Sequence, residues 1–184
     1  MQAIQQTKDT QYKPEILYQA GIAYYYFRQY DEALSMTEAS LSLIKVKANP
    51  ITEAKVSGLV GRLYMVKAQY DEARIYFEKV SRIVETLPDQ KNMLAYACFN
   101  LALLYQTIGK HELAVTYHKR SIDAYKEYYG PDSEAFRLIS GYYTLADLYV
   151  VLEKPKEARL YMEKIFQADG PKEQKQRGGH YYLK

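Results

Sequence analysis

The chain has 184 residues, 48% of them hydrophobic and 26% charged, an ordinary soluble balance with ample length for one cooperative unit. A formal charge of +3, with Lys and Arg interspersed among Asp and Glu, argues against direct binding of nucleic acid, and no apolar run nears the roughly 18 residues of a membrane span. The lone Cys98 excludes an internal disulfide and fits a reducing compartment, so a cytoplasmic location is expected.

Residues 1–13 read as a polar extension or partial helix. A first helical hairpin is predicted over about residues 14–46, turning at Arg28-Gln29-Tyr30, with Pro14 suited to a helix start because its missing N–H would be unpaired there. Asn49-Pro50 breaks the chain, and a second hairpin follows over about 51–86. Leu87-Pro88-Asp89 separates it from a third, about 90–129, in which Gly109 ends the first helix. Gly130-Pro131-Asp132 precedes the fourth, about 133–167, where Pro155 opens the last helix and does not kink one. Asp169-Gly170-Pro171 then opens a basic polar tail, residues 168–184, and no strand pattern occurs anywhere.

The hairpins repeat one another. Tyr30-Asp31-Glu32-Ala33 recurs as Tyr70-Asp71-Glu72-Ala73, each preceded by a glycine and a tyrosine, Gly21 with Tyr24 and Gly61 with Tyr64. Weaker copies carry Ala102, Tyr105 and Ala114, then Ala146, Tyr149 and Ala158. Helix axes that approach to about 8–10 Å need small residues where the backbones cross, which these glycines and alanines supply. The tyrosines lie one turn further on, wedged between stacked hairpins, and Leu17, Val60, Leu101 and Leu145 complete the inner stripe. On the second helices Thr37, Phe77, His118 and Met162 share a position, and Tyr117 and Tyr161 stand one residue earlier. That offset predicts a slight rotation of the second helix in the third and fourth hairpins.

This pattern resembles the tetratricopeptide repeat family. Its second-helix alanines recur at intervals of 40, 41 and 44 residues, longer than the standard repeat of about 34. The long unit is similar to that of kinesin light chains and of bacterial peptide receptors of the Rap and NprR type. Asn100-Leu101-Ala102-Leu103-Leu104-Tyr105 with Gly109-Lys110 and Tyr129-Gly130-Pro131-Asp132 carries the kinesin-light-chain likeness. The resemblance covers roughly residues 14–167. It implies an all-α, right-handed superhelical solenoid of about four antiparallel hairpins whose first helices line a concave binding face.

Catalytic patterns are missing. His111 and His118 stand seven residues apart, two helical turns and not the one that a helical metal pair needs. Cys98 has no resolving partner, Gly178-Gly179 follows no strand, and no carboxylate pair stands in an apolar setting. No enzyme activity, cofactor or metal is expected. The concave line instead carries Tyr18, Tyr25, Tyr26, Lys55, Arg62, Tyr96, Phe99, Asn100, Tyr143 and Asp147. Aromatics clustered on one strip are what interfaces use to gain area at low entropy cost. In this family an asparagine at the position of Asn100 often bonds a ligand's backbone.

A non-catalytic scaffold for a protein or peptide segment is therefore the leading expectation. The alternatives are the peptide-sensing domain of a Rap/NprR-type receptor, with this chain as a fragment, and a structural assembly subunit. Leu160, Tyr161, Ile165 and Phe166 give the last helix more apolar surface than one hairpin can bury, so further repeats beyond this chain or a homodimer through the C-terminal hairpin is expected to cover it, with the tail's His180-Tyr181-Tyr182-Leu183 as the rival cover.

Overall fold

A computed structural model describes residues 13–44, 50–87, 89–130 and 136–168. Among them the secondary structure is eight α-helices and no strand: α1 (Lys13–Tyr26), α2 (Tyr30–Ile44), α3 (Pro50–Val66), α4 (Tyr70–Glu85), α5 (Lys91–Thr107), α6 (His111–Tyr129), α7 (Phe136–Val151) and α8 (Pro155–Ala168). Pro50 and Pro155 each stand at a helix start. Acidic residues fill the first turn of every second helix, where they complement the helix dipole: Asp31 and Glu32, Asp71 and Glu72, Glu112, and Glu157.

The four inter-helix turns share one construction. Arg28, Ala68, Gly109 and Glu153 all take positive φ, between 55° and 73°. Each of these residues donates its N–H to the carbonyl three back, to Tyr25, Met65, Gln106 and Val150 in turn, and the next residue reaches five back to the repeat tyrosine. The chain so reverses in three residues and the second helix begins at once. Only one of the four left-handed positions is a glycine.

The helices form two compact units, Met1–Met93 and Leu94–Lys184. In the first, α1 pairs with α2 and α3 with α4, while α2 and α1 both pack on α3. Leu41, Ile44, Val56 and Val60 form one core cluster, and Ala33, Leu59 and Leu63 another. Gly21 and Gly61 are required by proximity: a Cβ on Gly21 would lie 2.7 Å from the Thr37 methyl, and one on Gly61 would lie 2.6 Å from the Phe77 ring. In the second unit α7 packs on α6 and pairs with α8, and a Cβ on Gly141 would meet Ile122 at 2.9 Å. Gly141 is a close-packing site that the sequence pattern did not single out.

Two buried serines fasten hairpins in the same way. Ser40 Oγ donates to the Pro14 carbonyl and Ser121 Oγ to the Ala95 carbonyl, each at 2.7 Å across 26 residues of chain. The repeat tyrosines are also paired. Tyr64 stacks on Tyr76, Tyr105 on Tyr117, and Tyr149 on Tyr161, with ring centroids 5.3–5.7 Å apart and planes within 20°. This corrects the expected rotation of the later second helices. Tyr76 holds the same place as Tyr117 and Tyr161, three residues after the close-packed alanine, and Phe77, His118 and Met162 occupy the next position independently.

Candidate functional site

In the first unit the expected binding residues divide by burial. Tyr18 and Tyr25 are half-buried against the Leu59–Leu63 cluster, so part of each ring seals the seam between α1 and α3. Arg62 on α3 reaches back to α1, its Nη2 donating to the Tyr25 hydroxyl at 2.7 Å and its guanidinium standing 4.4 Å from the Tyr25 ring centroid. Tyr25 also meets Tyr26 and Tyr30 edge-on at 6.0 and 5.9 Å. This clamp fixes the end of α1, and beyond it Tyr26 and Phe27 stand 76% and 78% exposed. Lys55 is exposed on α3. Phe27 was absent from the predicted set. It lies where the helix turns out, and the helical count of the concave line stops one residue short of it.

In the second unit Tyr143 and Asp147 are exposed on one line of α7, with Val150 continuing it. Leu103 is exposed on α5, whereas Tyr96 and Phe99 are half-buried there. Phe99 meets the His118 ring edge-on at 5.7 Å. Asn100 is 6% exposed, and its Nδ2 donates to the Tyr96 carbonyl at 2.7 Å, one turn back on the same helix. One of its amide hydrogens is thereby engaged within α5.

His118 is 1% exposed, and among the described residues neither ring nitrogen has a hydrogen-bond partner. Burial lowers its pKa from the usual 6.5 to about 4, which keeps the imidazole neutral. Burial likewise pushes the Cys98 thiol up to about 12, the state of a packed sulfhydryl and not of a nucleophile. Among the described residues no three His, Cys, Asp or Glu side chains stand together as a metal site, and no helix is long and apolar enough to cross a membrane.

At the end of α8, Tyr161 and Ile165 are buried within their own unit, and Leu160 is 49% exposed. The apolar surplus expected there is thus much smaller than the sequence implied. The tail, residues 169–184, lies outside the described residues.

The model of the tetratricopeptide repeat matches the chain twice, over residues 52–127 and 93–169. The chain belongs to the tetratricopeptide repeat family. Its repeats are similar to a stretch of human SH3 domain and tetratricopeptide repeat-containing protein 2, 30% identical over 83 residues, which is 45% of this chain and 6% of that protein. The apo form of RapI superposes with a TM-score of 0.80 at 15% identity, over 91% of this chain and 59% of RapI. The TPR-like repeats of a putative kinesin light chain from Podosopora anserina give 0.72 at 18% identity, over 91% of this chain and 82% of theirs. At such identities the two structures establish the fold, an all-α tetratricopeptide-type solenoid. Repeats of this family build protein-binding surfaces.

Proposed function

We propose that this tetratricopeptide repeat chain is a non-catalytic scaffold that binds a protein or peptide segment on the exposed faces of its first helices. The observation that carries the reading is the α1 terminus, where Tyr26 and Phe27 are held out to solvent beside a Tyr25 that Arg62 clamps. A rigid aromatic pair gives a partner large apolar area at little entropic cost. In the second unit Tyr143, Val150 and Asp147 on α7 offer a separate face of the same mixed character. Asn100 and Phe99 support the packing of α5 and are not contacts in this reading. The combined substitution Tyr26→Ala, Phe27→Ala should leave the helices intact and weaken partner binding by about 1–3 kcal/mol per anchoring side chain. A partner captured equally well by the wild type and by that variant would overturn the assignment.

The peptide-sensing domain of a Rap/NprR-type receptor is the second reading, favoured by the superposition on RapI. A free short peptide that protects α1 and α3 from amide exchange would support it. Protection seen only with a folded protein partner would favour the scaffold.

A further inference from the structure

The repeats permit an internal comparison of charge, position by position. In the second hairpin Lys79 is paired with Glu53 at 2.7 Å, and the stacked tyrosine Tyr64 donates to Glu38 of the preceding helix at 3.3 Å. The second unit holds the same places with different residues. Lys164 corresponds to Lys79, but Leu138 replaces Glu53, and Lys119 replaces Glu38.

The result is a cationic cluster on α6, α7 and α8. Lys164 Nζ stands 4.9 Å from the Tyr161 ring centroid and 5.8 Å from that of Tyr142. Lys126 Nζ is 5.8 Å from the Tyr142 centroid, and Lys119 Nζ is 5.5 Å from that of Tyr149, whose hydroxyl it also hydrogen-bonds. The three rings are buried and touch one another, Tyr142 to Tyr161 at 6.0 Å and Tyr149 to Tyr161 at 5.7 Å. Each ammonium group thus stands against at least one ring of this set. Among the described residues none of the three lysines has a carboxylate within 4.0 Å. Asp123 is the acidic group near enough to be felt by Lys119 and Lys164. Burial and the repulsion of Lys126 and Lys119 hold Lys164 below the usual lysine range. Among the described residues, three cations stand against the Asp123 carboxylate, an excess of positive charge.

We propose that this cluster is an anion-binding site whose ligand is a dianionic phosphate group, recognised by Lys119, Lys126 and Lys164 beside the Tyr142, Tyr149 and Tyr161 rings. The ammonium groups come from two helices, and Lys126 and Lys164 share the Tyr142 ring, so a multiply charged oxyanion can gain several point-charge contacts there. The site lies in the second unit, and the exposed aromatic pair belongs to the first. The phosphate has two possible sources, the free ion and a phosphorylated side chain of a partner.

Melting curves and lysine ε-methylene NMR spectra of the full chain, at constant ionic strength, test the proposal. Inorganic phosphate should raise the melting temperature and shift the resonances of Lys119, Lys126 and Lys164, whereas chloride should do neither. The double variant Lys119→Gln, Lys164→Gln should lose at least about tenfold in phosphate affinity, the consequence of removing two charge-assisted contacts. Without phosphate it should remain folded, the lost Lys119–Tyr149 hydrogen bond being offset in part by removal of the desolvated Lys164 cation. A phosphoserine peptide binding tenfold tighter than inorganic phosphate, with its unphosphorylated form inert, assigns the ligand to a partner, and equal or weaker binding assigns it to the free ion. The proposal is overturned if phosphate produces no shift in the wild type, or if the variant binds phosphate as well as the wild type (an adventitious ion only).

Discussion

His118 occupies the place held by Thr37, Phe77 and Met162 in the other hairpins, and of that set it is the side chain that can take up a proton in the acid range. Its folded-state pKa is about 4, below the usual 6.5, because burial penalises the imidazolium. The unfolded chain therefore binds the proton first as pH falls. Stability from this residue is fully present above about pH 6.5, declines between there and about pH 4, and flattens below. The span corresponds to on the order of 3 kcal/mol. His118→Met, the residue of the fourth hairpin, should remove that slope. Urea melts of both proteins at about pH 7 and pH 4.5 would test this, and parallel losses would show that the acid sensitivity lies elsewhere. The residue scale is also where the sequence was least legible. Asn100 sits on the helical line of the groove by count, yet its amide turns back to Tyr96, a rotamer choice that spacing does not encode. Phe27 escaped because it follows the last residue of α1, where helical counting ends.

At the scale of the elements, the helical repeat was legible in the sequence for a physical reason. The close-packing sites, the breaking prolines and the acidic first turns each act within one or two helical turns, so each is visible as a short motif. The stacked pairs Tyr64–Tyr76, Tyr105–Tyr117 and Tyr149–Tyr161 join two helices of a hairpin, and the tyrosine on the second helix was mistaken for a displaced version of Phe77. The turns carry a sharper test. Ala68 and Gly109 hold the same left-handed position, and a Cβ at Gly109 would meet nothing within 4 Å, so conformation alone distinguishes them. A side chain in that region costs roughly 1–2 kcal/mol. Gly109→Ala should destabilise by about 1 kcal/mol, and Ala68→Gly should stabilise by a fraction of that, because the glycine's extra freedom in the unfolded chain offsets part of the relief. Chemical denaturation of both variants reads the two signs. Destabilisation by both would mean that the positive φ at Ala68 is no burden.

On the scale of the molecule, the family was legible because every hairpin repeats the same packing residues, and for the same reason those residues carry no information about the ligand. What distinguishes this chain lies in its departures from the repeat: an exposed aromatic pair at the end of α1, and lysines where the first unit has an ion pair and an acid. The lysine cluster could not be read along the chain, since Lys119, Tyr142, Tyr149 and Lys164 come from three helices. The two candidate surfaces differ in physics, so salt should separate them. Raising ionic strength from about 0.1 to about 1 M shortens the screening length from roughly 10 to roughly 3 Å. Phosphate occupancy in the second unit should then fall steeply, whereas apolar burial on Tyr26 and Phe27 should persist or strengthen. The check is partner affinity across that range for the wild type, for Tyr26→Ala, Phe27→Ala and for Lys119→Gln, Lys164→Gln. A salt-resistant component that disappears only in the aromatic variant would place the partner on α1. Affinity abolished by salt and unchanged by the loss of both aromatics would instead make the lysine cluster the principal site and remove the aromatic face from the function.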